Sequence, residues 1–174
     1  IEDRKRTILE LPSMFEVARL IGTTMREEIQ QNAGSVQTAD SAFNASIIVG
    51  GQIKGCPPQL FMVYPEGNFI EASDETPYMQ IGETKYGRPI LVRAYDRKMS
   101  FEDAVKLLLV SFDSTIKANL SVAMPADLLI YKTDSFEIFH EQRITAEDDY
   151  FKSISSGWGE ALKQAFQSLP DFRI

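Results

Sequence analysis

Few of the acid, base and thiol side chains in this sequence stand at spacings that make a reactive set. Metal hydrolysis would need His, Cys or carboxylates clustered at ligand spacing. The one histidine, His140, lies on a stretch that reads as a strand and has no His or Cys near it in that pattern, so neither a metal nor a cofactor is expected. The one cysteine, Cys56, cannot form an internal disulfide; the following Pro57 and Pro58 read as a loop, and unpaired cysteine favours a reducing compartment, the cytoplasm. Asp113 and Asp127 bracket the run KANLSV, Lys117 to Val122, and read as helix-end or turn residues rather than acid–base groups. Glu147, Asp148 and Asp149 match the first turn of a helix, where carboxylates meet the positive end of the dipole, and lack the longer alternating series of a calcium loop. Trp158, between Gly157 and Gly159, reads as a core or subunit-interface anchor.

These residues sit in a chain of 174 residues that is 44% hydrophobic, enough for a core without staples, and the sequence reads as a single domain over 1–174. There is no linker, repeat or low-complexity segment. A net charge of −7 with no basic block makes nucleic acid an improbable partner, and no apolar run approaches the ~20 residues that cross a bilayer. No membrane association is expected.

Ser13 and Glu16 form a capping box, so a helix begins near Met14; Met14, Val17, Ala18, Ile21, Met25 and Ile29 give its inward face until Asn32 to Gly34 break the pattern. Phe43 to Ile53 and Leu60 to Tyr64 read as buried strands, and Pro65 to Asn68 turns the second back into Phe69 and Ile70. Ser100 and Asp103 cap a helix in which Phe101, Ala104, Val105, Leu107, Leu108, Val110, Ser111, Phe112 and Ser114 give an apolar surface around much of its circumference; Leu108 counts as core. Ala126 to Tyr131 and Ser135 to His140 form a second hairpin. A last helix, capped by Thr145 and Asp148, turns Tyr150, Phe151, Ile154, Trp158, Leu162, Phe166 and Leu169 inward before Pro170 stops it. The strands lack polar alternation, which implies cover on both faces of their sheets.

The run Phe69 to Pro89, FIEASDETPYMQIGETKYGRP, resembles the bacterial proteasome relative Anbu, an N-terminal-nucleophile hydrolase family. So do ELPSMFEVARL, GGQIKG, YPEGNFIEAS and DSTIKANLSVAMPADLLIY. The resemblance implies an α+β fold, a four-layer αββα sandwich of the proteasome β-subunit type. It implies a Thr or Ser at the start of the mature chain that attacks a peptide carbonyl, with its own α-amine as base. Because the sequence opens with Ile1, the resemblance places that nucleophile, with the lysine and aspartate that tune it, ahead of these residues.

Within the chain, the resemblance sets Gly82-Glu83-Thr84 in the place of the Gly-Ser-Gly of proteasomal β-subunits. Glu83 then either holds the terminal ammonium or accepts a proton; structurally, it is an acidic residue in a first helical turn. KANLSV falls where those relatives carry Arg-Asp-x-x-Ser-Gly: Ser121 matches the serine, but Ala118 stands in the aspartate's position and Asn119 follows it. The expected supporting residues are Glu83, Asn119 and Ser121. The implied partners are peptide or unfolded-protein substrates and further copies of the chain in a ring or helical stack. The two rival readings are a non-catalytic assembly or binding subunit of the same fold and an amidohydrolase acting on a small amide.

Overall fold

In the computed structural model the described residues are 7–32 and 45–173, so Gly34, Phe43 and Ile1 lie outside them. The chain divides into two compact units, Ile1–Ile81 with Thr133–Phe136 and Gly82–Lys132 with Glu137–Ile174.

The first unit is a helix on a sheet. After a 3-10 turn at Ile8–Glu10 comes α1 (Met14–Asn32), which starts where Ser13 Oγ accepts the Glu16 backbone N–H; the Glu16 carboxylate pairs with Arg19. Strands β1 (Ile47–Gly51), β2 (Gln59–Val63) and β3 (Phe69–Glu71) form an antiparallel sheet in that order, with Ile47 opposite Val63 and Phe61 opposite Glu71. Side chains alternate across a strand, so β2 turns Phe61 and Val63 toward α1, where they are buried with Met14, Val17, Ala18 and Met25. The predicted inward face of α1 is therefore the observed one. The β2–β3 turn closes through Gly67 N to Tyr64 O and Tyr64 N to Asn68 O, both 2.9 Å, with Gly67 at φ +86°, a value that favours glycine. Residues 133–136 are tied to this unit through Asp134, whose N–H donates to Gln52 Oε1 while its carboxylate accepts from Gln52 Nε2.

The second unit holds α2 (Arg88–Ala94), α3 (Phe101–Ala118), the antiparallel pair β4 (Ala126–Tyr131) and β5 (Ile138–Ile144), and α4 (Asp149–Gln167). The predicted Ser100 cap forms, its Oγ accepting from Asp103 N at 3.1 Å; at α4 the cap is Asp148 alone, whose Oδ1 accepts from Phe151 N at 3.0 Å, while Thr145 Oγ1 accepts from Glu147 N at 3.3 Å in the turn before the helix. Helix α3 is buried along two stripes. One runs through Leu107, Ser111 and Thr115; the other runs through Leu109 and Asp113, flanked by the partly buried Val105 and Ile116.

Three sequence expectations change. Strand β5 begins at Ile138 rather than Ser135, because Asp134 and Phe136 adopt positive φ and a register shift at Ile130/Tyr131 delays pairing. Leu108 lies between the two buried stripes of α3 and is 43% exposed, so it is not core. On α4 only Phe151 is buried; Tyr150, Leu162 and Phe166 are exposed, as is Leu169, which lies beyond the end of the helix at Gln167. The strands imply cover on both sheet faces, and among the described residues Leu129 on β4 is left 56% exposed. We accordingly expect Leu109→Ala to cost about 2 to 3 kcal/mol in urea unfolding and Leu108→Ala under about 1 kcal/mol, since only the first leaves a cavity. Equal costs would refute the two-stripe arrangement.

Candidate functional site: a carboxylate, amide and hydroxyl in series

Gly82, at φ +77°, turns the chain into the loop that precedes α2. Glu83 lies in that loop and not in the first helical turn, because α2 starts only at Arg88, whose N–H donates to Thr84 O at 3.0 Å. The dipole explanation for Glu83 therefore fails. What fixes its carboxylate is a pair of donors, the Lys85 backbone N–H to Oε1 at 2.9 Å and the Asn119 side-chain amide to Oε2 at 3.0 Å.

Asn119 is the residue at which α3 ends, with φ −137° and ψ 114°, its N–H still reaching Thr115 O. Leaving the helix there aims its side chain back at Glu83. Its Oδ1 accepts from both Ser121 N at 2.9 Å and Ser121 Oγ at 2.7 Å. The three expected residues are thus joined in one hydrogen-bonded series, Ser121 to Asn119 to Glu83. The direction of the protons is set: the amide donates to the carboxylate, so its oxygen takes the serine hydroxyl proton. Ser121 Oγ then presents lone pairs outward, which suits a donor such as an ammonium.

The Glu83 carboxyl is held below the usual carboxylate range, first by the Lys85 N–H, then by the Asn119 amide, the Lys85 charge and the Thr84 N–H, while partial burial opposes them. It is therefore ionised at neutral pH and a weak base.

A residue that the sequence reading passed over sets this geometry. Gly87 is buried, and a Cβ there would collide with Ser111 Oγ and lie 3.1 Å from both Ser111 O and Thr115 Oγ1. The small polar stripe of α3, with Thr115 Oγ1 donating to Ser111 O at 2.9 Å, lets the start of α2 press close, which brings the loop of Glu83 to the end of α3. The spacing Ser111-x-x-x-Thr115, small hydroxyl residues one helical turn apart on α3, was the available signal.

The remaining conspicuous residues take other places. Asp113 is neither a helix end nor a turn: it is 3% exposed within α3, and Lys117 bridges it at 3.2 Å while donating to Ser155 Oγ on α4 at 2.7 Å. Asp127 is on β4 and accepts two hydrogen bonds from its cross-strand neighbour Arg143, at 2.9 and 3.0 Å. His140 is on β5 as expected, exposed, 3.3 Å from Gln142 Oε1. Cys56 is exposed in the turn after β1. Trp158 is half-buried, and its indole N–H is buried without a hydrogen-bond acceptor among the described residues. Among the described residues no three His, Cys, Asp or Glu are grouped to hold a metal ion, and no helix is long and apolar enough to cross a membrane. A groove of about 400 Å³ with Phe101, Leu128, Ile130, Phe139 and Tyr150 in its walls belongs to the same unit, but Glu83, Asn119 and Ser121 do not line it.

A family model described as proteasome subunit matches residues 19–124. Solved structures of Anbu agree over nearly the whole chain. That from Hyphomicrobium sp. strain MC1 is 47% identical, with a TM-score of 0.88, over 99% of this chain and 70% of its own. Anbu (ancestral beta-subunit) from Yersinia bercovieri is 43% identical with a TM-score of 0.89, over 99% of this chain and 72% of its own. A helical assembly of the Anbu complex from Pseudomonas aeruginosa is 41% identical with a TM-score of 0.90, over 98% and 71%. No curated protein matches the sequence. The chain belongs to the proteasome subunit family, in its Anbu group, and its fold is the α+β fold of that family.

Proposed function

We propose that residues 1–174 are the later part of a single proteasome-like domain in a cytoplasmic peptidase subunit, one that cleaves peptide bonds with an N-terminal Thr or Ser supplied outside these residues and that assembles with copies of itself. The observation that carries this reading is the series Ser121, Asn119, Glu83 at the two loops where the resemblance sets the supporting groups of the proteasomal nucleophile. Its outward lone pairs and ionised carboxylate suit a terminal ammonium. The depressed pKa argues for holding that ammonium over accepting its proton. Assembly is supported by the helical complex described for the Pseudomonas aeruginosa relative. The substrate would be a peptide or unfolded protein, attacked without metal or cofactor.

The test begins with the intact mass and N-terminal sequence of the native polypeptide, followed by hydrolysis of a short fluorogenic peptide. A processed Thr or Ser and turnover are expected; an inactive native protein with neither residue at its start would leave the non-catalytic assembly subunit. In the active protein, Glu83→Gln removes a negative charge from beside the ammonium. The amine's pKa should then fall, moving the acidic limb of the rate profile to lower pH by on the order of one unit. An unchanged limb would return Glu83 to a purely structural role.

The same carboxylate has a stability signature. Because its pKa is lower folded than unfolded, its contribution is present above the ordinary carboxylate range and is lost as pH falls through the depressed value.

A further inference from the structure

We propose that Lys117 is a positioning residue for the series Ser121, Asn119, Glu83, a strut that ties the last turn of α3 to α4; this rests on the reading of that series as the support of a terminal ammonium. The series depends on one event, the exit of the chain from α3 at Asn119, and packing does little to hold that exit. Ile116 is the last side chain of α3 to pack against the cluster of Leu109, Ile144 and Phe151; beyond it Ala118 and Ser121 are exposed, and Leu120 is fully so. A helix end left in that state frays.

Lys117 supplies the missing hold. Its ammonium donates to Asp113 Oδ2 at 3.2 Å, one turn back on α3, and to Ser155 Oγ on α4 at 2.7 Å. Both anchors are firm. Asp113 is 3% exposed, and a carboxylate buried to that extent needs a cationic partner, so it fixes the lysine. Ser155 follows Ile154, which packs against the same cluster as Ile116 and so anchors this turn of α4. Lys117 itself is 59% exposed, and an ion pair so open to water contributes little by its charge alone; its worth lies in direction. Unwinding the last turn of α3, or swinging it away from α4, breaks one of the two bonds. Two residues on, the same turn delivers the Asn119 amide to within 3.0 Å of Glu83 Oε2.

The experiment compares the full native protein with three variants. Ser155→Ala cuts only the bond to α4 and leaves Asp113 its cation; the double variant Asp113→Asn/Lys117→Met leaves no buried charge alone; Lys117→Arg keeps a cation able to reach both anchors. Hydrogen exchange is read at the amides of Ser121 and Lys85, which donate to Asn119 Oδ1 and Glu83 Oε1, and at those of β4. The expected result is exchange about fivefold faster at Ser121 and Lys85 in the first two variants, with β4 unchanged, and exchange near the wild-type rate in Lys117→Arg. In peptide turnover the first two variants move the acidic limb of the rate profile to lower pH by about 0.3 unit, the direction of Glu83→Gln, because a carboxylate held less firmly supports the ammonium less. Unchanged exchange at Ser121 and Lys85 overturns the strut, and so does acceleration spread equally over α3 and β4, which is a loss of general stability. An unmoved limb in an active protein whose Ser121 exchange has risen overturns the positioning role. Faster exchange at Ser121 and Lys85 beside a wild type that turns over no peptide keeps the strut and overturns the peptidase reading.

Discussion

Replacing Phe61 with alanine is expected to lower the stability of the first unit by about 4 kcal/mol, the largest single-residue loss expected among the described residues. Phe61 is 1% exposed and, with Val63, is one of the two large side chains sealed completely between β2 and α1. Its ring meets Phe69 edge to face at 5.8 Å, so truncation removes an aromatic contact as well as apolar burial. The cavity cannot close easily, because Met14, Val17 and Ala18 are fixed by the helix and β1 and β3 hold β2 on both edges. Hydrogen exchange at the β2 amides is the measurement of choice, since it reports on this unit alone. Protection lost by less than about 1 kcal/mol would mean that this core is not the one described.

Gly22→Ala is the second, expected to cost about 3 kcal/mol although it adds only a methyl group. A Cβ at Gly22 would strike the carbonyl oxygen of Gly67, and a Cβ at Gly67 would stand 2.7 Å from the Gly22 carbonyl. Backbone thus faces backbone where α1 crosses the turn between β2 and β3, and neither side has a rotamer with which to retreat. The turn itself is constrained, since Gly67 needs positive φ. Alanine is ordinarily favoured over glycine inside a helix by ~1 kcal/mol, so even a neutral outcome in urea unfolding would show that the close approach does not exist.

Much of this was legible in sequence. Helix α1, its cap and its inward face were readable because hydroxyl, carboxylate and apolar spacing all agreed, and Ser100 and Asp148 announced the later helices in the same way. Glu83, Asn119 and Ser121 could be singled out only through resemblance; nothing in KANLSV reveals that Asn119 leaves the helix at the angle needed to reach a loop 36 residues away. Leu108 and the end of α4 were misjudged for one reason: periodicity reports which side chains share a face, but not whether anything stands opposite it. Asp113 was misjudged because an acidic residue near a predicted helix end is ordinarily a cap, and its partner Lys117 acquires meaning only with Ser155 of α4 beside it.

The amide at position 119 also bears on the chemical ageing of the protein. Spontaneous loss of ammonia from Asn119 would leave an aspartate facing Glu83 across 3.0 Å, two acids where one had been held by a donor. One of them would have to take up a proton, and Ser121 would lose the fixed direction of its hydroxyl. A carboxylate at 83 and an amide at 119 are therefore a matched choice. A single hydrolysed amide would be enough to undo the series.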